Sequence, residues 1–239
     1  MQTYFIEFRF HRYAKRYLKS TIQEISHKFR VKATSKKVPH LTLFGPFKTN
    51  NERQMVNTLM QVCKNYEDKL IPFRLKGFDG FDNFSNKVVF IDVRPSEEMK
   101  ELRFSIAKSL LKITDTNSVQ DKKSKDDFKF HATVAFKDID KKYSEILSYL
   151  KSKPEPSIKQ TLLRVTIIKK GKILYEYDLI LKRLLNRSES KSTRVLSETI
   201  RQLRRRKDAG NFREQKPTDK KKQKSKSLTD KILEFFKLK

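Results

Sequence analysis

Two of the chain's four histidines sit in the same local pattern, His40-Leu41-Thr42-Leu43 and His131-Ala132-Thr133-Val134. On a β-strand residues i and i+2 share a face, so each imidazole lies beside a threonine hydroxyl while Leu41, Leu43, Ala132 and Val134 point the other way, into a core. Brought together, two such strands present two imidazoles and two hydroxyls to one cleft. Phosphodiester chemistry uses that set. A neutral imidazole takes a proton from an attacking hydroxyl or water and a protonated one donates to the leaving oxygen, because a pKa of about 6.5 lets both forms coexist near neutrality. The threonines, with a nearby Lys or Arg, would hold the non-bridging oxygens as charge builds there, without a metal. A lone His-x-Thr is ordinarily just a polar stretch of a half-exposed strand. Its duplication, in a chain whose other histidines are only His11 and His27, singles out His40, Thr42, His131 and Thr133 as the catalytic set.

The elements that must position these residues are legible from periodicity. Thr3 to Phe10 and His40 to Phe44 read as strands, and between them Leu18, Ile22, Ile25 and Phe29 mark an amphipathic helix over residues 14–30, giving a βαβ unit. A second helix over 51–66 leads into IPFRLKGFDGFDN, followed by a strand at Lys87 to Val93 that Pro95 and Ser96 stop as they open a helix to about Ile113. The second motif lies on a strand from Phe128 to Phe136, after the polar loop TDTNSVQDKKSKDD. A short helix at 144–150 precedes a hairpin of Thr161 to Lys169 with Lys172 to Lys182 about the turn KKGK, so the order is βαβαββαβαββ.

The balance of the chain points to polyanions as partners. Its 239 residues hold 56 Lys and Arg against 28 Asp and Glu, a net charge of +28, which suits nucleic acid first and an anionic membrane surface second. Apolar strands stop near Leu185, so residues 1–185 are read as one domain and 186–227 as a basic, largely disordered linker with a short helix at 194–207. Residues 228–239, LTDKILEFFKLK, restore apolar residues at helical spacing. Ile232, Phe235 and Phe236 there resemble a sliding-clamp-binding peptide in which Thr229 replaces the usual Gln, although a helix docked on the domain or on a membrane fits as well. One cysteine, Cys63, permits no internal disulfide and lies on an apolar helical face, as a buried thiol would. No apolar run is long enough for a membrane span and no signal peptide opens the chain, so a cytoplasmic monomer is expected.

PHLTLFGPF, from Pro39 to Phe47, and FKFHATVAF, from Phe128 to Phe136, resemble the two hallmark motifs of the 2H phosphoesterases, which include 2'-5' RNA ligase-like and RNA cyclic phosphodiesterase proteins. The resemblance covers residues 1–185. It implies an α+β fold of pseudo-twofold symmetry, two βαβ-type lobes with antiparallel sheets flanking a central cleft. It also implies a hydrolase of RNA termini that needs neither metal nor cofactor, acting on a 2',3'-cyclic phosphate or a 2'-5' linkage. Many members carry Arg shortly after the second motif; here Phe136 and Lys137 follow, which makes Lys137 the candidate phosphate cation.

Aromatics surround both motifs: Phe44, Phe47, Phe78, Phe81, Phe84, Phe128 and Phe130. Most suit a core. Phe47, and Phe81 in the glycine-containing stretch KGFDGFDNF, read as an exposed loop able to close over a ligand, are the candidates for contact with substrate. No phosphate loop, paired cysteines or His-Glu-x-x-His appears, which argues against ATP-dependent ligation and zinc chemistry. The rival readings are a 2H-like module that grips RNA without turnover, and a phosphodiesterase for a small nucleotide such as ADP-ribose cyclic phosphate, for which the basic tail has no evident use.

Overall fold

The first strand is set by alternation: Tyr4, Ile6 and Phe8 are buried, and β1 (Gln2–Arg9) carries them into the core, with Phe10 buried just beyond it. A computed structural model describes residues 2–35, 37–83 and 86–210. After β1, α1 (Arg12–Phe29) buries Ala14, Leu18, Ile22, Ile25 and Phe29 on one face. β2 (His40–Thr49) then runs antiparallel to β1, with Arg9 opposite His40 and Glu7 opposite Thr42. α2 (Glu52–Lys64), capped by Asn51, buries Cys63, whose thiol pKa is pushed well above its ordinary value by desolvation.

β3 (Pro72–Asn83) and β4 (Asn86–Pro95) form a long antiparallel pair, followed by α3 (Glu97–Leu110) with Ser96 as its cap. The remaining elements are β5 (His131–Phe136), α4 (Tyr143–Lys151), β6 (Ser157–Thr161), β7 (Arg164–Lys169), β8 (Lys172–Asp178), β9 (Arg183–Leu185), α5 (Arg187–Lys191) and α6 (Thr193–Asp208). Two antiparallel sheets result, in the orders β2-β1-β7-β8-β9 and β5-β4-β3-β6. The motif strands β2 and β5 are therefore equivalent edge strands, and they contact one another where the sheets meet. Each is backed by a helix of the other half, α3 against β2 and α1 against β5, which ties the halves together. This is the pseudo-twofold α+β arrangement expected. None of the described helices is long and apolar enough to cross a membrane.

Three expectations are corrected. KGFDGFDNF is not an exposed loop up to Asn83: it is the outer part of β3, paired with β4. Its glycines serve packing, since Gly77 sits at φ 79 where the register shifts, and a side chain at Gly80 would collide with the Tyr143 hydroxyl. Phe84 lies outside the described residues. The single strand expected over 161–169 is two, because Leu162 and Leu163 carry the chain from β6 in one sheet to β7 in the other. The β7–β8 turn is as expected, with Lys170 at φ 48 and Gly171 at φ 73 suiting a two-residue hairpin.

The third correction concerns the segment after Leu185, expected to be largely disordered apart from a short helix at 194–207. That helix is present as α6, but α5 precedes it and it is docked: Ile200 is 7% exposed and packs with Leu163 and Ile180. A buried polar cluster fastens it. Arg164 donates to Asp178 at 2.8 Å, to Glu176 at 3.2 Å and to the Thr199 hydroxyl at 2.8 Å, and Thr199 reaches Asp178 at 2.6 Å. Low hydropathy misled because α6 needs only a narrow apolar stripe, Leu196, Ile200 and Leu203, once its polar Thr199 has charged partners below. The lysine block and the peptide with Ile232, Phe235 and Phe236 lie outside the described residues.

Candidate active site

Both histidines are oriented by the same short hydrogen bond. His40 Nδ1 lies 2.8 Å from the Val38 carbonyl and His131 Nδ1 lies 3.0 Å from the Lys129 carbonyl. A carbonyl can only accept, so each bond places the proton on Nδ1 of a neutral ring and leaves Nε2 as the working nitrogen. Thr42 and Thr133 follow on the same faces, half-buried, with hydroxyls tied to no protein group among the described residues. The imidazoles are close enough that charge on His40 disfavours charge on His131. The four motif residues thus lie on two contacting edge strands.

The cross-strand neighbours break the symmetry. Thr42 faces Glu7 and Thr133 faces Phe90; His40 faces Arg9 and His131 faces Asp92. Glu7 Oε2 is 3.9 Å from His40 Nε2, and Arg9 Nε is 3.8 Å from the same carboxylate. Burial raises the Glu7 pKa, opposed by the His40 and Arg9 charges. Asp92 is spoken for by Lys129 at 2.8 Å and Arg94 at 3.2 Å. His131 is enclosed by Phe81, edge-on at 5.1 Å between ring centres, and Phe90 at 5.2 Å. Its pKa is lowered, first by this desolvation and then by the His40 and Lys129 charges.

The expected substrate contacts fare unevenly. Phe47 is 1% exposed, between Tyr4 and Phe44, and cannot stack on a base; the pattern that placed it after the motif is the ordinary alternation of a strand. Phe44, Phe78 and Phe130 are likewise core residues. Phe81 is at the site, but on a strand, as a wall of His131. Lys137 is exposed just beyond β5, in a left-handed conformation at φ 70, with Nζ 5.4 Å from the centre of the Phe136 ring. The cations beside the histidines are Arg9 and Lys129, which sequence reasoning missed. Arg9 could have been found, since it continues the polar alternation Glu7, Arg9 on a strand that must flank the first motif.

Also missed was the brace behind β2. Arg103 of α3 is 1% exposed, occupying an apolar-face position between Met99 and Ile106. It donates to the carbonyls of Leu43 at 3.3 Å, Lys123 at 3.3 Å and Gln120 at 2.6 Å, and lies 3.6 Å from Asp121 and 3.8 Å above Phe128. Burial presses its pKa down to about 10. Asp121 in turn accepts from Gly45 N at 3.0 Å. Gly45 is at φ 111, inside β2 where its register with β1 shifts, with Tyr4 O 3.0 Å from where a Cβ would stand, so this position accepts no side chain.

The 2'-5' RNA ligase superfamily model matches residues 15–172, a span containing both motifs. No curated protein matches the chain. Among solved structures, Kluyveromyces marxianus Usb1 with uridine monophosphate is similar at 11% identity over 77% of this chain and 96% of that one, TM-score 0.43. Kluyveromyces marxianus Usb1 is similar at 12% over 77% and 97%, TM-score 0.44, and a phosphoesterase at 13% over 77% and 93%, TM-score 0.39. With the family match spanning both His-x-Thr strands, the chain belongs to the 2'-5' RNA ligase superfamily of 2H phosphoesterases.

Proposed function

We propose that the protein is a metal-independent phosphodiesterase of RNA termini, with His40 and His131 as acid and base and Thr42 and Thr133 as oxyanion donors. The observation that carries this reading is the matched pair of Nδ1 bonds, which presents both imidazoles through Nε2 from facing strands. On a 2',3'-cyclic phosphate, neutral His131 takes a proton from water as the water oxygen bonds to phosphorus. The P–O bond to one ribose oxygen breaks, and that oxygen takes a proton from protonated His40. His131 suits the base because enclosure by Phe81 and Phe90 disfavours its charged form, and His40 suits the acid because it lies beside the Glu7 carboxylate. The threonine hydroxyls donate to the non-bridging oxygens, with Arg9 and Lys129 nearest as cations.

Short RNAs ending in 2',3'-cyclic phosphate, 2'-phosphate or 3'-phosphate, or holding a 2'-5' junction, are incubated with the protein in excess chelator and the products identified. Opening of the cyclic phosphate is the expected result. Binding of these RNAs without turnover of any of them would make the domain a binding module, and turnover only of ADP-ribose cyclic phosphate would move the substrate to small nucleotides.

A further inference from the structure

A cavity of about 590 Å³ lies apart from the four motif residues, and its lining carries a charge of one sign. Arg12, Arg74, Arg94, Lys159 and Lys207 line it together with His11, and among the described residues no carboxylate does. Arg94 is engaged by Asp92, but Arg12, Arg74, Lys159 and Lys207 have no ion-pair partner among the described residues. Four cations gathered without a counter-charge repel one another, an arrangement that an anion relieves. The ring nitrogens of His11 are buried and form no well-aligned hydrogen bond. One wall is α6, through Ile200, Leu203 and Lys207, so docking of that helix completes the cavity.

The strand registers connect this cavity to the histidines. Asp92 is opposite His131, Arg94 lies two residues further along β4 on the same face, Arg74 is opposite Arg94, and Lys159 is opposite Arg74. At about 3.4 Å per residue and 4.8 Å between strands, the Cα atoms of Arg94, Arg74 and Lys159 stand roughly 8, 12 and 16 Å from that of His131. The other sheet takes the same step. Arg9 is opposite His40, and two residues on is His11, at the cavity. The cationic cavity therefore continues the His-x-Thr cleft along both sheets.

We propose that this cavity holds backbone phosphate of the RNA strand whose terminus reaches His40 and His131, an inference that rests on the RNA-terminus reading above. It makes the protein a reader of oligonucleotides rather than of isolated terminal nucleotides, and gives α6 a part in substrate length selection. A phosphate there is met by guanidinium forks from Arg74 and Arg12 and the Lys159 ammonium, in a site partly shut from solvent by α6.

The test compares the full chain with its R74A/K159A variant, both residues being on the sheet surface at the cavity. Binding of a 3'-phosphate-terminated ribo-octanucleotide and of the corresponding mononucleoside 3'-phosphate is measured by fluorescence anisotropy across a salt series. The expected result is a tenfold or greater loss of octanucleotide affinity, with the slope of log K against log salt smaller by ~1.4 for two lost contacts, while the mononucleotide, which has no backbone phosphate beyond its terminus, binds both proteins alike. Unchanged octanucleotide affinity and slope overturn the proposal, as does equal weakening of both lengths, which would put these side chains at the reacting terminus. Turnover of RNAs ending in 2',3'-cyclic phosphate is followed separately with the same two proteins. Failure of the wild type to open any cyclic phosphate counts against the catalytic reading alone, because the binding comparison decides the cavity without it.

Discussion

Removing α6 should cost far more than its basic, polar composition suggests. A chain ended after Leu185 uncovers Leu163 and Ile180, loses Ile200, and strips the Thr199 hydroxyl from buried Arg164 and Asp178. Complete burial of such apolar side chains is worth about 1.5–3 kcal/mol each, and with only part of each surface facing α6 the three together come to ~3 kcal/mol. The hydroxyl lies between two charged groups, and leaving them short of a partner costs about 1–3 kcal/mol. The sum, ~5 kcal/mol, corresponds to a fall in Tm of roughly 10–20 °C at 2–4 °C per kcal/mol. Thermal unfolding followed by circular dichroism, on chains ended after Gly210 and after Leu185, reads this directly. Thr199→Val, which keeps the shape and removes the hydroxyl, should account for ~2 kcal/mol of it, and Thr199→Ser should restore most of that. Tm values within about 2 °C for the two truncations would refute the docking argument, since no arrangement that buries these groups is so weak.

His40→Ala and His131→Ala should each lower kcat by roughly 10²- to 10⁴-fold in the cyclic-phosphate assay, with Thr42→Ala and Thr133→Ala milder, and full activity of either histidine variant would exclude the two-imidazole mechanism. Because burial lowers the His131 pKa, the acid limb of kcat/KM should lie below about pH 6.5; Phe81→Ala admits water to the ring, relieves that desolvation, and should move the limb to higher pH. Arg103→Leu abandons three carbonyls and the buried Asp121, and should destabilise the fold by about 3–5 kcal/mol in urea titrations. Ending the chain after Gly210 removes the lysine block, so RNA affinity should fall less steeply with salt while the maximal rate on a short cyclic-phosphate RNA is kept; an unchanged salt slope would mean that the block does not touch RNA.

What the amino-acid sequence determined by itself is local. Alternation and 3.6-residue spacing act over some ten residues, which is enough to place His40 with Thr42 and His131 with Thr133 on common strand faces, to start α3 at Ser96 and to turn the β7–β8 hairpin at Lys170-Gly171. The duplicated motif needed no coordinates, because the same residue types recur at the same spacing. What tertiary structure decided depends on partners distant in the chain. Glycine at 77 and 80 reads as a loop until β4 and Tyr143 supply a bulge and a close approach; Phe47 reads as accessible until Tyr4 covers it; nothing local marks Arg103 and Arg164 as buried, and only carbonyls and carboxylates from elsewhere surround them. The asymmetry of the two histidines has the same origin. Their motifs are alike in sequence, but strand register sets Glu7 and Arg9 beside one and Phe90 and Asp92 beside the other, and a side chain's protonation is governed by the charges and water that its neighbours in space allow.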